Sequence, residues 1–238
     1  MGWLLPQGVS TYAADIDRLY YIILFITGVV FVLTEALLVY FLVRYRKREG
    51  RRAAYIHGST KAEVIWTVVP FIIVVALGLM SKGLWDSLKD PAHFPADAYE
   101  IEVVARQFEW EVRYPGGDGL SGDEAGFTVL NRMHVPAGRP VVVHLESEDV
   151  IHSFSVPDFR VKQDAVPGMR ISLWFEVPVP GEYPVGCAEL CGLGHYRMSG
   201  SVVVMPESEF GAWEAERMAQ TAVSTTQLAA TDGEGEDR

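Results

Sequence analysis

Both cysteines of the chain, Cys187 and Cys191, stand in the stretch "GCAELCGLGHYRM", Gly186 to Met198, with His195 and Met198 directly behind them. So dense a group of soft donors suits a disulfide with polar neighbours, a zinc clip or a copper site, and the residue types discriminate among the three. A disulfide across so short a loop constrains little and leaves His195 and Met198 unexplained. Zinc takes Cys and His, but a thioether is a poor zinc ligand and a good copper one, so Met198 would stand idle. One Cys, two His and a weak axial Met on a β-sandwich form a mononuclear blue-copper set. Cys191, His195 and Met198 supply three of those four donors. The fourth must come from upstream.

Of the six histidines, His57 lies in a basic connector between two apolar runs and His93 lies just past the second run. His134 and His144 fall on strand-like runs, where a structural role is the default. His152, in "EDVIHSFSVPDF", follows a polar strand end and begins a Pro-bounded loop, the kind of rim position at which ligands converge. It is the expected upstream donor. One copper, however, does not consume both thiolates. If the loop folds back into one turn, Cys187 brings a second sulfur to the same place, and two thiolates can bridge two metals. His152, Cys187, Cys191, His195 and Met198, with the Glu189 backbone carbonyl, suit a dinuclear copper centre better than one four-coordinate ion.

The elements that carry these residues divide between lipid and water. A mean hydropathy of +0.14 over 238 residues is high for a soluble domain and low for a polytopic membrane protein. Leu19 to Val43 is an apolar run whose only charge is Glu35, and it exceeds the roughly 20 residues that span a bilayer as a helix. Val64 to Met80 is nearer the lower limit, but it extends through Trp85 with Lys82 able to snorkel. Between them Arg44, Arg46, Lys47, Arg48, Arg51, Arg52 and Lys61 outnumber Glu49 and Glu63. The positive-inside rule makes this connector cytoplasmic and sets both termini outside. The basic cluster follows the first apolar run instead of preceding it, which argues against a cleaved signal peptide.

Residues 90–206 change character. Runs such as "YEIEVVARQFEWEVRYPGG", "GFTVLNRMHVPAGRPVVVHLES", "MRISLWFEVPVPGEYPVGC" and "GSVVVM" alternate or cluster apolar residues between Pro and Gly punctuation. They read as half-buried antiparallel strands of an all-β sandwich or barrel, with no crossover helix. The expected organisation is a membrane hairpin over 1–89, an exported β domain over 90–206, and over 207–238 a short helix with an acidic, disordered tail. The net charge of -11 understates the acidity of the exported part, because the basic connector lies across the membrane. Acidity of that kind steers basic partners or simply keeps the domain soluble.

"EDVIHSFSVPDFRVKQDAVPGM" followed by "GEYPVGCAELCGLGHYRMSGSVVV" closely resembles subunit II of haem-copper cytochrome c oxidases, and the resemblance extends through "HGSTKAEVIWTVVP" to nearly the whole chain. It implies a two-helix transmembrane hairpin followed by a cupredoxin-like Greek-key sandwich. It implies a binuclear copper A centre in which Cys187 and Cys191 bridge both ions, completed by His152, His195, Met198 and the Glu189 carbonyl. The Glu189 side chain would also reach a magnesium or manganese ion at the boundary with subunit I. By the same resemblance, cytochrome c delivers electrons one at a time and haem in subunit I receives them for oxygen reduction.

Glu63 matches the mouth of a proton-uptake path in the family; without the resemblance it reads as an acid favoured at a helix N-terminus. "ARQFEWEVRYPGG" matches the family's aromatic patch, with Phe108 where a tryptophan is usual and Trp110 retained as the other candidate electron inlet. Glu35 has no family role and is expected to pack against subunit I. The implied setting is a bacterial plasma membrane, with the copper domain on its outer side. The implied partners are oxidase subunits, cytochrome c and lipid, with no nucleic acid. Relatives of a different kind are the copper A subunits of some nitric oxide reductases and the metal-free subunits of quinol oxidases. The full set of donors argues against the latter.

Overall fold

The computed structural model describes residues 5–53, 55–116 and 126–233. Two helices, α1 (Ala13–Arg44) and α2 (Thr60–Lys89), are long and apolar enough to cross a membrane. Phe25, Phe31, Leu42, Trp66, Phe71 and Leu79 on them are all exposed. Helices that satisfy every interior backbone group internally can present such a surface to lipid or to other membrane helices. Of the interconnecting segment, residue 54 lies outside the described residues.

The rest of the fold is a sandwich of two five-stranded sheets. One sheet contains β1 (Tyr99–Arg106), β2 (Glu109–Tyr114), β3 (Phe127–Leu130), β5 (Val141–Ser147) and β8 (Ile171–Phe175), in the order β3-β2-β1-β5-β8. The other contains β4 (Arg132–Pro136), β6 (His152–Val156), β7 (Val161–Ala165), β9 (Gly181–Cys187) and β10 (Ser199–Met205), in the order β4-β10-β9-β6-β7. The inner faces interleave Ile101, Val103, Val143, Leu145, Phe154, Phe159, Phe175 and Val202, all essentially inaccessible to solvent. Alternation along each strand sends these residues inward, except Phe159, which enters from the 3-10 turn Pro157–Phe159.

Two features differ from the sequence expectation. The pairings β1 with β5 and β4 with β10 are parallel, so the sheets are mixed. Parallel neighbours arise because strands distant in sequence are brought side by side, which local alternation does not encode. The residues after His152 form β6 and β7 instead of a Pro-bounded loop, and Pro157 is confined to a single 3-10 turn between them.

The segment leading into α1 is built into the sandwich. The backbone N–H groups of Val9 and Thr11 donate to the carbonyls of Asp158 (2.9 Å) and Glu176 (3.0 Å). Ser10 Oγ donates to the Phe159 carbonyl at 2.8 Å, and the Tyr12 hydroxyl to the Trp174 carbonyl at 3.0 Å. The Trp174 indole meets Tyr12 edge-on and donates to the Ser87 carbonyl at 2.9 Å. By contacts, the segment up to Ala14 forms one unit with Ser87–Arg238, and Asp15–Asp86 forms the other.

A third helix, α3 (Glu207–Gly233), covers an edge of the sandwich with Phe210 and Trp213. It runs on to Gly233, well past the short helix expected from composition, and residues 234–238 lie outside the described residues. Trp213 stacks on His134 with ring centroids 4.2 Å apart. Burial, reinforced by the neighbouring Arg132 charge, lowers the pKa of His134, so the fold favours its neutral form. A base with a depressed folded pKa stabilises the fold above its ordinary value of about 6.5 and loses that contribution as pH falls below it. The unfolding temperature is therefore expected to fall between pH 7 and pH 5, with a shallower fall in His134→Phe, which keeps a stacking ring. Parallel pH profiles for the two proteins would contradict this role.

Candidate metal centre

The donor cluster is assembled where β6, β9 and β10 end side by side. Antiparallel pairing sets Ser199 opposite Gly186, and the Cys187 N–H donates to the Met198 carbonyl at 3.1 Å. Cys187 and Met198 thus face each other at the two ends of one loop. On the other side of β9, Phe154 pairs with Cys187 and the Ala188 N–H donates to the Ser153 carbonyl at 2.9 Å. That pairing brings His152, at the start of β6, to the same rim.

The side chains converge accordingly. Cys187 Sγ is 3.8 Å from Cys191 Sγ, 4.0 Å from His152 Nδ1 and 3.1 Å from the Glu189 carbonyl oxygen. Cys191 Sγ is 3.7 Å from His195 Nδ1 and 3.8 Å from Met198 Sδ, and His152 Nδ1 is 3.2 Å from the same Sδ. The ligand atoms of His152, Cys187 and Cys191 alone lie within 4.8 Å of one another. All six donors anticipated from the sequence meet in one place, both histidines with Nδ1 inward. The Glu189 side chain is exposed.

His152, Cys191 and Met198 are buried while Cys187 and His195 are half-buried. Burial first, then the adjacent Cys187 sulfur, pushes the Cys191 thiol up to about 11. Without a cation the pocket therefore holds Cys191 as a thiol, and a metal that binds there must displace its proton. The donor set fits copper: thiolates, imidazoles and a thioether are soft or borderline ligands.

Two residues that the sequence reading passed over support the cluster. Asp149 Oδ1 lies 2.8 Å from His152 Nε2, fixing the ring so that Nδ1 faces inward. The same carboxylate accepts from the Gln107 N–H at 2.7 Å and the Val150 N–H at 2.6 Å. Burial alone would raise its pKa, but the hydrogen bonds from His152 and these two amides outweigh burial and hold it below the ordinary range. Gln107 Nε2 in turn donates to the Cys191 carbonyl, tying the β1–β2 hairpin to the loop. An acid three residues before the candidate His was the one available signal, and it read equally well as part of a turn.

The two aromatic candidates separate. Trp110 is 2% exposed and meets His152 edge-on, 6.2 Å between ring centres, and also meets Phe154 edge-on. Phe108 sits half-buried at the hairpin tip, against the loop backbone: a Cβ added to Gly194 would come within 2.4 Å of its ring. Gly192, at φ +133°, passes the same ring in a conformation that a side chain rarely adopts. Glu63 lies in the other unit, exposed in the first turn of α2, with its N–H bonded to the Ser59 carbonyl at 2.9 Å. His134 and His144 are engaged elsewhere, His144 with Ser172 and Glu100.

Residues 102–205 match the family profile of the periplasmic domain of cytochrome c oxidase subunit II, and residues 1–84 match that of its transmembrane domain. The chain is 35% identical over 233 residues to the alternative cytochrome c oxidase subunit 2 of Bradyrhizobium diazoefficiens, covering 89% of this chain and 82% of the relative. It is 31% identical over 252 residues to cytochrome c oxidase subunit 2 of Cereibacter sphaeroides, covering 93% and 82%. Among solved structures, the periplasmic domain of subunit II of the Bradyrhizobium japonicum oxidase aligns with 28% identity and a TM-score of 0.48, over 53% of this chain and 98% of that one.

Proposed function

The chain belongs to the cytochrome c oxidase subunit II family, and from that premise we propose that it is the electron-accepting subunit of a respiratory haem-copper oxidase whose oxygen-reducing site lies in subunit I. One observation carries the reading: five soft side-chain donors and the Glu189 carbonyl meet at one rim of the sandwich. Cys187 and Cys191 would bridge two copper ions, with His152, His195, Met198 and the Glu189 carbonyl completing the ligands. A bound copper pair supplies one-electron redox chemistry.

The chain's own residues do the rest. β6, β9 and β10 hold the donors on a rigid scaffold, so the ligands would need little rearrangement when charge changes. Asp149 holds His152 in one tautomer and orientation. Burial of Met198, Cys191 and His152 keeps water from the interior side of the site. Phe108, at the hairpin tip against the loop between β9 and β10, would be one contact for an incoming donor, and Trp110 packs against His152. The exposed Glu189 carboxylate is available to a magnesium or manganese ion at the subunit I boundary, and Glu63 to a proton path from the cytoplasmic side. The basic connector between the two membrane spans supports an orientation with that connector inside and with both termini and the copper domain on the outer face of a bacterial plasma membrane, and cytochrome c would be the donor there.

Metal analysis and electron paramagnetic resonance of the purified full chain test this reading. A bound pair of coppers is expected, with hyperfine structure from two nuclei. A single copper with a simple four-line pattern would refute the bridged arrangement.

A further inference from the structure

The surface beside the donor cluster carries a charge pattern that bears on what docks there. Leu193 is 97% exposed and Tyr196 86% exposed, both on the loop between β9 and β10, and Val150 and Ile151 are exposed on the neighbouring loop. Phe108 connects these two loops, lying against Gly192 and Gly194 while the amide of Gln107 binds Asp149 beside Val150. Arg197 completes the patch, its guanidinium 5.8 Å from the centre of the Phe108 ring.

Of the carboxylates around the patch, Glu189 is exposed on the same loop and is assigned above to the subunit I boundary, while Glu109, Glu148 and Asp149 are engaged. Glu109 and Glu148 pair with Arg106 at 3.5 and 3.8 Å, and Glu148 also with Arg113 at 3.7 Å. Asp149 is held by His152 and two backbone amides. Much of the chain's acidity stands elsewhere, as in Glu207, Glu209, Glu214 and Glu216 of α3. An exposed apolar group of this kind with a cation in it is poorly matched to a ring of lysines, which would lose hydration and meet Arg197. It is well matched to an apolar, near-neutral face.

We propose that the electron donor docks on Phe108, Val150, Ile151, Leu193 and Tyr196 through an apolar, lysine-poor haem edge, with Arg197 selecting against a basic one. This rests on the electron-accepting role proposed above and names the class of donor for that site. Leu193 is the anchor and Arg197 the discriminator. Docking is then governed by apolar burial at contact and only weakly by salt.

The test uses the assembled oxidase and two c-type cytochromes, one with a lysine-ringed haem edge and one with an apolar haem edge. Calorimetry gives the Kd, and stopped flow gives the oxidation rate of each cytochrome between about 0.01 M and about 1 M salt. The apolar-edged protein is expected to bind more tightly, with a rate that changes less than about threefold across that range. Leu193→Asn should weaken its binding about tenfold or more with copper content and optical spectrum retained. Tyr196→Ser is the second variant, expected to act in the same direction should Leu193→Asn lose copper. Arg197→Glu should strengthen binding of the basic cytochrome and give it a steep salt dependence. Tighter binding of the basic cytochrome to the parent protein, with rates falling more than about tenfold in salt, overturns the inference alone. Copper that is reduced by dithionite but by neither cytochrome overturns the electron-accepting role as well.

Discussion

Replacing Cys187 with Ser is expected to convert the centre to a single-copper site and to lower oxidase turnover by more than about 100-fold, the upper range for disturbing even the groups that support a metal ligand. The substitution is selective. Cys191, His195, Met198 and His152 remain, and they constitute a complete blue-copper set. Cys187 is half-buried at the end of β9, and Ser is nearly isosteric, so the ladder to β10 through the Cys187 N–H survives. The expected result is therefore a folded protein with about half the copper and a hyperfine pattern from one nucleus. A variant that kept both its copper load and its turnover would show that Cys187 is not a bridging ligand.

Asp149→Ala is expected to weaken copper retention by about 10-fold to 100-fold, measured by competition with a chelator, while the fold persists. The carboxylate touches no candidate copper-facing atom. It acts through His152 Nε2 and through the amides of Gln107 and Val150, so its removal frees the ring to rotate and unpins the hairpin tip from the loop. A purely structural acid would lower the unfolding temperature and leave the metal affinity of the folded fraction unchanged. A positioning acid alters the optical spectrum of the copper form, and Asp149→Asn, which keeps a hydrogen-bond acceptor, recovers part of the affinity. Identical chelator curves for parent and Ala variant would rule the positioning role out.

The donor loop was legible because Cys187, Cys191, His195 and Met198 are close in sequence and chemically unusual together. The spans were legible because apolar length is a one-dimensional quantity. His152 was found by eliminating the other histidines, though its environment was misread: it opens strand β6 instead of a loop, since "HSFSV" is too short and polar to announce a strand, and Pro157 follows it. The parallel pairing of β1 with β5 was invisible because registers between strands about forty residues apart are decided by the whole sandwich. Asp149 and Gln107 were invisible for a related reason, as their role lies in whom they meet across the fold. Short polar residues such as Ser10 likewise carry no periodic signal for the contacts they make with Phe159.

Those contacts of the leading segment have a practical meaning. In sequence, the membrane hairpin is an insertion within the water-exposed domain and not a prefix to it, because the strip from Val9 to Tyr12 and the chain from Ser87 onward complete a single packing unit. A soluble fragment cut at residue 90 would lose the partners of the Asp158, Phe159, Trp174 and Glu176 carbonyls and strip both Tyr12 and the Ser87 carbonyl from the Trp174 indole. Joining the leading strip to Ser87 through a short flexible linker in place of the hairpin preserves those bonds, and yields a water-soluble domain that carries the donor cluster, by excision instead of truncation.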